Sequence, residues 1–214
     1  MTNPILKRLI HIITGVLFTL FFISLGLIVA IQWRGLYYHD IDSLNIVETS
    51  GFSEEIIREN YDALIDYCSP FFKGELSFPS MPSSENGIQH FAEVKAIFVA
   101  FYYILAISSP LLFLLLWRNL KKKDFHILRT SAMITVILPT IVGLACFLNF
   151  DRAFTIFHKL FFRNDYWLFD PRFDPIIEIL PSEFFLHCAL VIISIVILGS
   201  LLQYIAYRLL RNKL

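Results

Sequence analysis

Two histidines far apart in the chain, His90 in "NGIQHFAEV" and His158 in "FTIFHKLFF", are the side chains best suited to proton transfer. An imidazole titrates near neutrality, so one can accept a proton while another delivers one. Each has a carboxylate within helical reach. Glu93 follows His90 by three positions, and Asp151 precedes His158 by seven, which places each pair on one helix face. Either carboxylate could orient its imidazole. Asp151 makes His158 the better general base of the two. Other chemistries lack their residues: the chain has no H-E-x-x-H, no G-x-S-x-G, no phosphate loop and no C-x-x-C. Cys68 has only an apolar helix face around it, and Cys146 and Cys188 fall in apolar runs, so neither a disulfide framework nor a metal site is expected.

Around His158 the sequence is aromatic. Residues 151–175 hold Phe154, Phe157, Phe161, Phe162, Tyr166, Trp167, Phe169 and Phe173, twice the average of the chain. Rings at a membrane interface act as anchors. Interleaved with charges, they could instead wall a half-wet pocket. Phe157, Phe161, Tyr166 and Trp167 are the candidate walls, and Arg152, Arg163 and Lys95 are candidate oxyanion partners. Each cation also has a plainer role as an interfacial charge.

The elements that would position these residues follow from hydropathy. The chain of 214 residues is 57% hydrophobic with a mean hydropathy of +0.64, more apolar surface than a soluble domain of this length can cover. Runs at Leu9–Ile31, Ala96–Trp117, Ser131–Phe150 and Phe184–Tyr207 contain no Asp, Glu, Lys or Arg. At about 1.5 Å per residue each is long enough to cross a bilayer as a helix. The first is read as a retained anchor, since no clear cleavage site follows it.

Ten of the eighteen Lys and Arg residues flank the first run, join runs two and three, or end the chain (Arg208, Arg211 and Lys213). Residues 32–93 carry eleven Asp and Glu instead. The positive-inside rule then predicts an all-α integral membrane protein with four transmembrane helices, an extracellular cap and both termini cytoplasmic. The expected order is a cytoplasmic N-terminus and first span (1–31), a cap segment (32–92), a second span (93–117), a basic loop (118–129), a third span (130–150), an aromatic-rich outer segment (151–183), and a fourth span with a cytoplasmic C-terminus (184–214). Membrane lipids are expected partners and nucleic acid is not.

In the cap, Ser53 is set to cap a helix whose apolar face is Ile57, Tyr61, Leu64 and Cys68, ended by Ser69-Pro70. Residues 71–86 read as loop, and Asn86 with Gln89 as a capping-box-like start for the second span. His90 would then stand about 9 Å above its apolar run, and His158 about 12 Å above the third run if that helix continues. The two imidazoles would meet at one height. His11 and His187 fall at opposite depths and cannot share a haem. His126 lies in the basic turn as a headgroup neighbour, and His39 reads as structural.

"NGIQHFAEVKAIF" (86–98), the block from Phe147 to Phe185, and four spans under an outer cap together resemble the lipoprotein intramolecular transacylase family, Lit, of Gram-positive bacteria. The resemblance covers nearly the whole chain. It implies a cell-membrane enzyme, active on the extracellular side, whose substrate is a diacylglyceryl-modified lipoprotein. The acyl chain at the glyceryl sn-2 position would move to the amino group of the same lipoprotein's N-terminal cysteine, giving the lyso-form. It also implies that His90 and His158 are catalytic, with no cofactor and no metal. Two rival readings remain at this point. One is a non-enzymatic four-span interaction protein or chaperone with an acidic docking cap. The other is a metal-dependent hydrolase using His39, His90 and His158.

Overall fold

In the computed structural model, which describes residues 4–212, the chain is helical and no strand occurs among the described residues. Expectations for residues 1–3, Lys213 and Leu214 lie outside the described residues. The helices are α1 (Pro4–Gln32), α2 (Arg34–Ser43), α3 (Ile46–Ser50), α4 (Glu54–Tyr67), α5 (Glu85–Lys121), α6 (His126–Leu148), α7 (Phe150–Phe161) and α8 (Ser182–Arg211), with a 3-10 turn at Pro175–Ile179. Helices α1, α5, α6 and α8 are long and apolar enough to cross a membrane. Helices α1, α5 and α8 cover their expected spans, and α6 covers the third except for its last two residues. Helix α5 runs 37 residues, about 55 Å, so it is longer than the roughly 30 Å of hydrocarbon it must cross.

The chain forms two compact units. One comprises residues up to 27, Tyr102–Ala145 and the chain from Leu190. Its buried centre is Ile127, Leu128 and Tyr207, with Ile10, Leu116, Leu120, Phe125 and Leu210 packed around. Many of its other apolar side chains face outward: Tyr103, Ile107, Phe113, Ile141, Leu144 and Leu202 are all exposed. Only 11% of the most apolar window of α5 is buried in the protein, as expected where lipid completes the burial. Small and polar groups hold the helices together. A Cβ on Gly26 would stand 3.0 Å from the Ile192 Cα, so only glycine lets α1 and α8 approach this closely. Ser200 donates across to the Ala132 carbonyl at 2.8 Å. Asp124 accepts from His11 at 2.9 Å and from Lys7 at 3.0 Å. Burial raises the Asp124 pKa, but these two partners outweigh it and hold the carboxyl below its usual range.

The other unit comprises Ile28–Phe101 and Cys146–Ala189. Ser53 caps α4 by accepting from the Ile56 N–H, and Ile57, Tyr61, Leu64 and Cys68 are buried along the expected face. Tyr37 stacks on Tyr61 at 3.6 Å, Phe184 meets both edge-on, and the Tyr37 hydroxyl donates to the Ile179 carbonyl. A buried carboxylate, Asp40, accepts a hydrogen bond from His187 Nδ1 at 2.8 Å.

Two local expectations change. The start of α5 is fixed by Ser84, not by Asn86 and Gln89: the Ser84 hydroxyl accepts from the Gly87 N–H at 3.0 Å. Buried Asp174 in turn accepts from the Ser84 N–H, the Ser84 hydroxyl and the Ser83 hydroxyl. A side chain on Gly87 would run into the Asp174 carboxylate. A long-range carboxylate thus selects a cap two residues earlier than Asn86. Secondly, the third span does not continue through Phe150. Asn149 adopts an extended conformation, ends α6, and caps α7 by accepting from the Arg152 N–H at 2.8 Å. His158 therefore belongs to a separate helix.

Candidate active site

Within the second unit, α5 supplies His90 and α7 supplies His158. Both are buried, 4% and 8% exposed, and their ring centroids lie 5.9 Å apart at an interplanar angle of 31°. Rings surround them. Phe162 stands 4.7 Å from His90 and 5.5 Å from His158, so it touches both. Phe91 and Phe169 flank His90 at 5.7 and 5.5 Å. Phe154, Trp167 and Phe157 flank His158 at 4.2, 4.9 and 5.4 Å.

Helical geometry orients His158. Its Nδ1 lies 2.8 Å from the carbonyl oxygen of Phe154, one turn back in α7. A carbonyl oxygen only accepts, so Nδ1 carries the hydrogen and Nε2 keeps a free lone pair. Burial lowers the His158 pKa from its ordinary value, and the bond to Phe154 offsets only part of that. The imidazole is neutral at neutral pH, with Nε2 available as a base. His90 Nδ1 is buried and bonds to no described protein group.

The expected orienting carboxylates act otherwise. Asp151 is exposed in the first turn of α7; seven residues place it about 10 Å along the axis from His158, beyond side-chain reach. The Phe154 carbonyl takes its place. Glu93 Oε1 accepts from Asn164 Nδ2 at 2.9 Å. Asn164 then organises the aromatic loop: its Oδ1 accepts from the Tyr166 N–H, and its backbone carbonyl accepts from Trp167 Nε1 at 3.1 Å. Through Asn164, Glu93 ties α5 to the tryptophan that packs on His158.

The expected walls divide. Trp167 and Phe157 touch His158 directly, and Phe161 packs on Phe157 at 4.7 Å. Tyr166 is exposed beside them. Arg152 and Arg163 are exposed. Lys95 is taken up elsewhere, donating to the Phe72 carbonyl at 3.1 Å with its ammonium over the Tyr67 ring. Sequence reasoning passed over Asn164, Phe91 and, as individual contacts, Phe162 and Phe169. Asparagine in a polar loop gives no periodic signal, and Phe91 reads as ordinary span lining. His39 is exposed, and among the described residues no three His, Cys, Asp or Glu side chains gather to hold a metal ion.

Residues 12–185 match the family model described as lipoprotein intramolecular transacylase Lit. The chain belongs to this family. It is similar to the membrane integral lipoprotein intramolecular transacylase Lit from Bacillus cereus, in a structure determined in meso. The two are 37% identical, with 99% of this chain and 98% of that one covered and a TM-score of 0.94. Structures of the same Bacillus cereus protein with one histidine replaced by arginine or by alanine match at 38% identity. They cover 97% of this chain, 93% and 94% of theirs, with TM-scores of 0.87 and 0.88. No curated protein matches. As a Lit family member this chain is a multi-pass membrane enzyme, an acyltransferase of the lipoprotein intramolecular transacylase class. The non-enzymatic reading, which composition alone allowed, is set aside.

Proposed function

We propose that the enzyme moves the acyl chain from the sn-2 glyceryl oxygen of a diacylglyceryl-modified lipoprotein to the amino group of the same protein's N-terminal cysteine. His90 and His158 are the acid–base pair, and the reaction takes place at the outer face of a bacterial cell membrane. The observation that carries this reading is the pair itself: two buried imidazoles, 5.9 Å apart, inside an aromatic enclosure.

The chemistry follows from the tautomer. The α-amino group has a pKa of about 8, so presenting it neutral near pH 7 costs only about 1–2 kcal/mol. As its nitrogen attacks the ester carbonyl, the bare Nε2 of His158 takes a proton. The tetrahedral intermediate collapses with cleavage of the bond to the glyceryl oxygen, and the proton taken by His158 passes by way of His90, whose ring lies 5.9 Å away, to that oxygen. One amine hydrogen ends on the glyceryl hydroxyl, and no acyl-enzyme forms. Two cations this close repel, so the pair carries one positive charge at a time. Holding nitrogen and carbonyl within about 3.5 Å is worth several kcal/mol. Phe157 and Phe161, 44% and 49% exposed next to His158, give the acyl chains an apolar surface on which to settle.

The outer-face assignment is supported by the basic residues at 118–129 against the acidic segment 32–93. One experiment tests both parts. A lipopeptide carrying an isotopically labelled sn-2 chain is given to the enzyme in detergent and to sealed right-side-out vesicles, and its N-terminal fragment is read by mass spectrometry. The label is expected on the amine in both. No transfer in either overturns the chemistry; transfer in detergent alone overturns the side assignment.

A further inference from the structure

The carboxylate of Glu93 is only half used. Oε1 accepts from Asn164 Nδ2, whereas Oε2 is buried and bonds to no described protein group. A buried, unpartnered oxygen on a carboxyl group destabilises the fold more than one on a neutral polar group. Such an atom calls for a ligand. The nearest basic residue in sequence, Lys95, is turned to the Phe72 carbonyl, and Arg163 and Arg152 are exposed. Glu93 lies one helical turn from His90, so the two side chains are neighbours about 5–6 Å apart at Cβ. Asn164 fixes the carboxylate and, through Trp167, joins it to the wall of His158. The site therefore places a carboxylate acceptor one helical turn from His90 and ties it, through Asn164 and Trp167, to the wall of His158.

We infer that Glu93 Oε2 is the receptor for a primary ammonium group, the α-ammonium of the substrate's N-terminal residue. This rests on the transfer reaction proposed above. An ammonium offers a full charge and three donors, one for Oε2 and others toward the histidines. Once the nitrogen becomes an amide it loses the charge and two of its hydrogens. The product then loses this anchor, which favours its release and prevents a second acylation at the same nitrogen.

The test uses a diacylglyceryl lipopeptide with an ether in place of the sn-2 ester, so that no chain can transfer, in free-amine and N-acetylated forms. At pH 6.5 the wild-type enzyme is expected to bind the free amine at least about tenfold more tightly. This preference should fade as the pH passes about 8 and the amine becomes neutral. In Glu93→Gln, which can still accept from Asn164, the ratio should fall to near one with affinity for the acetylated form kept. A wild-type ratio of one, a ratio independent of pH, or an unchanged ratio in the variant overturns the inference. Where the variant does not fold, the wild-type pH series decides alone. Failure of the transfer reading shows separately, as absence of labelled product from the ester substrate.

Discussion

His158 gets its role from a backbone carbonyl. The bond from Nδ1 to the Phe154 oxygen leaves one lone pair for chemistry, and burial keeps the ring neutral. Because burial depresses its pKa below 6.5, protonation that would remove the base is delayed. The substrate amine, with a pKa of about 8, sets one acid limb of the single-turnover rate, and the further limb set by His158 is expected below pH 6.5; a second limb centred between these two values would contradict a buried neutral base. Part of this was legible in the sequence. The pairing of His90 with His158 was readable from residue type and position, but the choice of orienting group was not. Asp151 shares a face with His158, yet a face is a stripe two turns long here, whereas an i−4 carbonyl is always at hand inside a helix. Glu93 could be singled out from its spacing to His90, but its partner, Asn164, is 71 positions away and carries no pattern of its own.

At the scale of elements, caps decide where the histidines stand. Ser84 and Asp174 fix the first turn of α5 six residues before His90, and Asn149 separates α7 from α6. Asp174→Ala removes three hydrogen bonds to a buried carboxylate and is expected to lower stability by roughly 3 kcal/mol and to reduce transfer. Ser53→Ala, which removes the α4 cap, is expected to cost about 1 kcal/mol and leave the rate unchanged. Thermal melts and rates on both variants check this; equal effects on rate would mean that the α5 cap does not position the site. Helix α4 was legible to its cap and its apolar face, because both signals are local. The α5 cap was not, because the deciding carboxylate lies 90 residues along the chain from Ser84. The break at Asn149 was hidden because Phe150 follows it and helix resumes at once in α7.

For the molecule as a whole, hydropathy alone gave the four long helices, since lipid leaves a chain this apolar few other forms. What hydropathy could not supply is convergence. His90 and His158 come from α5 and α7, and a loop rich in rings folds over them only because Asn164 and Trp167 are tied down. Buried Cys68, its thiol pushed up to about 12 by burial, takes no part and is a packing residue of the α4 face.

The measurement closest to the central claim is the rate of labelled-chain transfer by folded, membrane-inserted His90→Ala, His158→Ala and the double variant. Each single variant is expected to lose about 10²–10⁴ in rate, and the double to be little worse than either, because the two rings act as one unit. A single variant that keeps its rate within about threefold of wild type would show that the imidazole pair is not the proton-transfer machinery.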